Sequence, residues 1–231
     1  MSDTIIFTVR PGGSLRGEIR VPGDKSISHR SIMLGSIAEG ITRVTGFLEA
    51  EDALATLKAF RAMGVEIEGP DEGNVTIHGV GLNGLKAPET LLYLGNSGTS
   101  MRLLSGLLAG QTFDSVLTGD ESLSKRPMRR VTLPLAEMSA QIVTEDDGTA
   151  PLAIAGTSAL TGIHYEMPIA SAQVKSCLLL AGLYAKGETT ITEPAPTRDH
   201  TERMLEGCGY PIERVGNKVS ITSGHRLNAV D

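Results

Sequence analysis

Ala38-Glu39-Gly40-Ile41-Thr42-Arg43-Val44-Thr45 and Ala185-Lys186-Gly187-Glu188-Thr189-Thr190-Ile191-Thr192 are one short passage written twice, at an offset of 147 residues. Each copy passes from small residues through a glycine into a β-branched run. Carried forward, the offset pairs Glu51-Asp52 with Arg198-Asp199, Leu57 with Met204, and Val65-Glu66 with Ile212-Glu213. After a three-residue deletion, Val75-Thr76-Ile77 meets Val219-Ser220-Ile221. A weaker copy lies between them: Ala109-Gly110, Ser115–Gly119, Met128–Met138, Gln141-Ile142-Val143 and Leu152-Ala153-Ile154. Self-similarity at a fixed spacing is the mark of a repeated structural unit, here three units of about 70 residues.

Each unit has one order of signals. First comes a run of small and aliphatic residues (Ser28–Glu39, Gly98–Ala109, Ala172–Lys186) with the spacing of a buried helix, stopped near Gly40, Gly110 or Gly187. A β-branched strand follows, Ile41–Thr45 or Thr189–Thr192. An amphipathic helix is next, Asp52–Met63 or Asp199–Gly207, with the aspartate as expected N-cap. Two short strands close the unit, Val65–Glu68 and Asn74–His78 in the first. The fold class predicted is α/β (α+β), three βαβαββ repeats around buried helices. Thr4–Val9 is a further strand candidate outside the pattern, and the tail Gly224–Asp231 stops in mid-pattern.

Composition removes several classes of function. The 231 residues carry a net charge of −6, so no basic face is available for nucleic acid. With no Trp, 4 Tyr and 4 Phe, there is no aromatic platform for stacking bases. No apolar run approaches the ~20 residues of a membrane span, and Met1–Gly13 does not read as a secretory leader. Cys177 and Cys208 make neither a disulfide framework nor a metal quartet, and Cys177 reads as a small buried hydrophobe. A cytoplasmic, metal-free monomer without cofactor is expected. Neither a P-loop nor a G-x-G-x-x-G fingerprint occurs.

The chemistry gathers at the starts of the three buried helices. Each opens with hydroxyl or amide groups followed by a cation: Lys25-Ser26-Ile27-Ser28-His29-Arg30, Asn96-Ser97-Gly98-Thr99-Ser100-Met101-Arg102, and Ser171-Ala172-Gln173-Val174-Lys175. Unpaired N–H groups and the helix dipole favour anions there. If the repeat aims all three at one place, with Lys125-Arg126 and Arg198-Asp199-His200 added, the result is a floor for phosphate or carboxylate groups. Taken singly, each group also reads as an ordinary cap, turn or solvated face. Glu51, Asp52, Glu145-Asp146-Asp147 and Glu202 read as caps or solvated positions, and His29 and His200 as satisfied polar residues.

Five ordered motifs resemble the N-terminal half of the EPSP synthase (3-phosphoshikimate 1-carboxyvinyltransferase) family. They are Pro22–Arg30, Leu94–Arg102, Gly119 with Lys125-Arg126-Pro127-Met128, Ala170–Ser176, and Thr197–Glu202. The resemblance runs over nearly the whole chain but only about half the family's usual length. It implies a two-domain enzyme of aromatic amino-acid biosynthesis, with three βαβαββ units per domain. That enzyme joins shikimate 3-phosphate to phosphoenolpyruvate and releases phosphate. Residues 1–20 and 225–231 would then be crossover segments belonging with a second domain, and 21–224 the three-repeat domain.

Roles carried over position by position make Lys25 the catalytic lysine touching both substrates. Ser26, Arg30, Ser171, Ala172, Gln173, Thr197 and Arg198 become shikimate 3-phosphate contacts. Asn96, Gly98, Arg126 and Gln173 become phosphoenolpyruvate contacts. Ala172 stands where some members have Ser, His200 where some have Tyr, and Leu103 where many have Pro. Gly98 is the residue type of members that glyphosate inhibits. The family's acid–base carboxylates and a further cation cluster lie in its C-terminal half, so that half is the expected partner and the chain alone is expected to be inactive. The sister UDP-N-acetylglucosamine enolpyruvyl transferase shares the fold but carries a loop Cys not found here. A non-catalytic anion-binding scaffold is the alternative from another class.

Overall fold

The computed structural model describes residues 6–157 and 159–230. Unit one contains α1 (Lys25–Ile37), β1 (Glu39–Val44), α2 (Glu51–Ala62), β2 (Glu66–Asp71) and β3 (Asn74–Val80). Unit two contains β4 (Leu92–Tyr93), α3 (Gly98–Ala109), β5 (Ser115–Thr118), α4 (Glu121–Ser124), α5 (Arg129–Glu137), β6 (Gln141–Val143) and β7 (Leu152–Ala155). Unit three contains β8 (His164–Glu166), α6 (Ala172–Gly182), β9 (Glu188–Thr192), α7 (His200–Gly207), β10 (Glu213–Val215) and β11 (Lys218–Thr222). Apart from β4, β8 and the short α4, these are the elements read from the repeat, displaced by a few residues at their ends.

The three sheets share one strand order: β1-β3-β2, β4-β5-β7-β6 and β8-β9-β11-β10. In units two and three the opening pair is parallel, β4 with β5 and β8 with β9, joined through the buried helix. The remaining pairs are antiparallel. Gly35 in α1 and Gly182 in α6 show the repeat at atomic scale. A Cβ on Gly35 would meet Ile77 Cδ1 at 2.9 Å and Thr42 Cβ at 3.2 Å. One on Gly182 would meet Ile221 Cγ2 at 2.5 Å and Thr189 Cβ at 3.3 Å. Both helices lie so close to their sheets that no side chain fits between.

The helices α1, α3 and α6 form the centre, with Ile32, Met33, Leu104, Leu107, Leu178 and Leu179 fully buried. Gly106 lets α3 and α6 cross closely, because a Cβ there would lie 2.0 Å from the Cys177 carbonyl oxygen. Burial of these apolar faces is the main driving force for assembling the units.

Three expectations change. Residues 6–9 form no strand, and Ile6, Phe7 and Val9 are exposed without a ladder to join; Thr4 and Ile5 lie outside the described residues. In unit one no strand precedes α1 among the described residues. The end of the chain fills that position: Glu39 N donates to Leu227 O at 2.7 Å, Ala229 N to Glu39 O at 3.0 Å, and Arg43 N to Val230 O at 3.3 Å. Glu39 bridges Asn228 in parallel sense, the geometry that β4 and β8 have in their units, while Asp231 lies outside the described residues. Finally, neither Asp52 nor Asp199 caps its helix through its side chain. Asp52 lies in the first turn of α2 and pairs with Lys25, and Asp199 turns to Arg203 at 2.7 Å. A full opposite charge is a stronger partner for a carboxylate than a neutral amide.

Candidate functional site

The first turns of α1, α3 and α6 are each closed by one side chain. Asp24 accepts from Ile27 N at 2.8 Å, Ser97 from Ser100 N at 3.2 Å, and Ser171 from Val174 N at 3.4 Å. Cross-links then bind the turns to one another. Arg30 donates from Nη1 to its own helix at Ser26 O (2.9 Å), from Nη2 to Ser176 Oγ on α6 (2.7 Å), and from Nε to Thr201 Oγ1 on α7 (2.6 Å). Burial lowers the Arg30 guanidinium to about 10, although Glu202 opposes the shift and Arg198 adds to it. Arg102 on α3 donates from Nη1 to Gln173 Oε1 on α6 at 3.0 Å, and Gln173 Nε2 returns to Thr99 Oγ1 at 3.1 Å.

These links enclose a small concavity lined by Ser26, Arg30, Thr99, Ala172, Gln173, Arg198 and His200. Arg198 is exposed and reaches it with Nη1 3.2 Å from Ser26 Oγ. Beside it lies a second group at the start of α3. Arg126 holds Asn96 through Oδ1 and through its carbonyl oxygen at 3.3 Å, and Asn96 Nδ2 donates to Asp120 Oδ2 at 2.8 Å. Gly98 faces both arginines of this group: a Cβ there would stand 2.9 Å from Arg102 Nη1 and 3.1 Å from Arg126 Nη1. Burial, then the neighbouring charges of Arg130 and Arg126, hold the Arg102 guanidinium below its usual range.

Of the expected contacts, the concavity thus gathers Ser26, Arg30, Ala172, Gln173 and Arg198, while Asn96, Gly98 and Arg126 form the adjacent group. Three do not line it. Lys25 is paired with Asp52, Ser171 caps α6, and the Thr197 hydroxyl donates to Glu193. Two readings are corrected. Lys175 is not a site cation: it is buried between Glu193 (2.7 Å) and Glu202 (2.6 Å). Glu202, read as a cap or solvated position, is accordingly buried, since only a charge partner makes such burial tolerable. Lys125 points outward to Glu121 at 2.5 Å.

His29 is buried, with Nδ1 2.7 Å from Thr56 Oγ1 and Nε2 without a partner among the described residues. Thr56 meets Ser100 Oγ at 2.6 Å, and Ser100 meets Ser97 Oγ at 2.6 Å, so a polar chain ties α1 and α2 to the start of α3. Burial drives His29 down to about 4. Cys177 is wholly buried and its thiol pushed up to about 12, so it is no nucleophile. Sequence reasoning counted Thr99 and Arg102 in the helix-start motif but named neither as a substrate contact. Ser176 and Thr201 likewise stand in quoted motifs and were given no role. Among the described residues one trio could offer three ligand atoms to a metal ion, Glu66, Glu68 and His78, all on the β2–β3 ladder and none lining the concavity.

Comparison with known proteins gives concordant matches. The family model for EPSP synthase (3-phosphoshikimate 1-carboxyvinyltransferase) matches residues 9–231. The 3-phosphoshikimate 1-carboxyvinyltransferase of Methylococcus capsulatus is 72% identical over 225 residues, covering 97% of this chain and 52% of that protein. The protein of the same name from Hydrogenovibrio crunogenus is 66% identical over 234 residues, covering 99% and 53%. A solved structure of EPSP synthase from Acinetobacter baumannii superposes with a TM-score of 0.90 at 65% identity, over 92% of this chain and 48% of that one. The chain spans about half the length of the curated relatives it matches.

Proposed function

Because the chain belongs to the EPSP synthase family, we propose that it is the substrate-holding half of an enolpyruvyl transferase acting on shikimate 3-phosphate and phosphoenolpyruvate. In that reaction a shikimate hydroxyl gives up its proton as its oxygen attacks C2 of phosphoenolpyruvate, while C3 takes up a proton. Loss of a proton from C3 and of phosphate from C2 then restores the double bond. Both substrates are polyanions, so a site that orients fixed cations and N–H dipoles offsets their repulsion and positions them for attack.

In this reading Arg198, Ser26, Arg30, Ala172 and Gln173 hold shikimate 3-phosphate, with Ser171 and Thr197 at its edge. Asn96, Gly98 and Arg126 take phosphoenolpyruvate, and Gln173 lies between the two. Arg126 suits a carboxylate or phosphate because its planar fork donates two parallel hydrogen bonds. Lys25 acts at the reacting carbon once released from Asp52. Glyphosate, a small anion, competes on the Gly98 side. Residues 21–224 form the binding domain, and 1–20 and 225–231 are crossovers to a C-terminal half. That half supplies the acid–base carboxylates, and without it the chain binds but does not turn over. A monomeric cytoplasmic protein completes the proposal.

The observation that carries this reading is the meeting of α1, α3, α6 and Arg198 around one concavity. Calorimetric titration with shikimate 3-phosphate, with UDP-N-acetylglucosamine as control, tests it. Saturable binding of the first alone, weakened at least tenfold (about 1.4 kcal/mol or more) in Arg198→Ala, is expected. A scaffold reading is favoured by one fact: Lys25 and Arg30 already have protein partners. Silence with both ligands would establish that reading instead.

A further inference from the structure

The first turn of α6 has two faces. Ala172 and Gln173 look into the concavity, whereas Ser171 and Val174, three residues apart and therefore on one side of the helix, look the other way. On that other side lies a pocket of about 170 Å³ between α5 and the segment joining β8 to α6. Its walls are predominantly apolar: Leu133, Pro134, Tyr165, Met167, Ile169 and Val174. Met167 and Val174 are buried and form its floor, while Leu133 and Ile169 are 62% and 71% exposed and stand at its rim. A cavity of about 150 Å³ lined by aliphatic side chains is large enough for one benzene ring.

Two arginines border the pocket, and they differ. Arg129 is committed, with Nη2 2.6 Å from the Asp146 carbonyl oxygen. Arg130 is exposed, and its side chain has no hydrogen bond or ion pair among the described residues. The one carboxylate felt by Tyr165, that of Glu137, does not line the pocket. An apolar slot of one-ring size with an unpaired guanidinium at its edge is complementary to a ring that carries a single negative charge.

We propose that this pocket binds a single-ring aryl carboxylate, at a site separate from the concavity and back to back with it across the first turn of α6. The ring occupies the space between Leu133, Met167 and Val174, and the carboxylate pairs with Arg130.

Benzoate is the probe, with benzamide as its uncharged isostere, titrated into the chain and followed by NMR through the methyl signals of Leu133, Ile169 and Val174. Saturable shifts with benzoate are expected, at least tenfold weaker with benzamide. In Arg130→Gln benzoate falls to the benzamide level, and in Leu133→Glu, a surface position whose variant is checked for folding by circular dichroism, its binding is lost. Addition of shikimate 3-phosphate or phosphoenolpyruvate leaves the benzoate shifts in place. Absence of saturation, equal binding of benzoate and benzamide, an unaffected Arg130→Gln, or displacement of benzoate by either anion each overturns the proposal. Displacement would make the pocket an extension of the concavity. The benzoate result stands whatever shikimate 3-phosphate does on its own.

Discussion

Gly98 is the residue whose smallness is tied most directly to the proposed chemistry. A methyl group there meets the tips of two guanidinium groups, Arg102 and Arg126, at 2.9 and 3.1 Å. Both are ends of flexible side chains, so Gly98→Ala is accommodated by displacing them rather than by unfolding the helix. The expected result is a melting temperature within about 2 °C of the parent, consistent with a change well under 1 kcal/mol. Phosphoenolpyruvate affinity, titrated in the presence of shikimate 3-phosphate, falls at least fivefold, while shikimate 3-phosphate affinity changes less than twofold. His29 sets a different signature. Its folded value of about 4 lies below the ordinary 6.5, through burial first, with Lys25 and Arg30 acting in the same direction against Asp52. The unfolded chain therefore takes up the proton first as pH falls. The stability that depends on neutral His29 is complete above pH 6.5, declines as pH falls from there, and is lost by about pH 4. The full loss is about 3 kcal/mol. Urea melts across that range check it, and His29→Asn flattens the slope.

At the scale of elements, a buried charge cluster decides how α7 and the Thr197–Arg198 loop sit against α6. Lys175 on α6 joins Glu193 after β9 and Glu202 on α7, and Glu193 also holds the Thr197 hydroxyl and, through N and O of its backbone, Asn217. Removing the lysine strands two carboxylates in a dry interior, which costs about 3–5 kcal/mol. Lys175→Met is expected to lose that much in urea denaturation, and the triple variant with Glu193→Gln and Glu202→Gln to recover most of it. Most helices and strands were legible beforehand, β4, β8 and α4 excepted. The boundary of β6, for example, agrees residue for residue with the reading of Gln141-Ile142-Val143. The role of Lys175 was not legible. A cation after a helix cap looks the same in a sequence whether it faces a cleft or a buried pair of glutamates 18 and 27 residues further along the chain.

At the scale of the molecule, units two and three supply their own opening strands, whereas unit one uses the end of the chain. Leu227 is buried and the tail makes three backbone hydrogen bonds with β1 at Glu39 and Arg43. Deleting the chain from His225 onward exposes one apolar side chain and the β1 edge, which costs about 3 kcal/mol. The melting temperature is expected to fall by roughly 5–10 °C, measurable by calorimetry.

The sequence by itself determined the threefold repeat, the order of helices and strands, and the motifs at the three helix starts. Periodicity, capping and β-branching act between residues a few positions apart, so they are written locally. Only the tertiary structure decided which cations serve the concavity: Arg30 and Arg198 line it and Arg102 holds its Gln173, whereas Lys175 is neutralised and Lys25 is paired. It alone also placed the tail beside β1. Charge pairing and strand pairing depend on what the fold brings within a few ångströms, and the low dielectric of the interior makes those partners, not sequence neighbours, decisive.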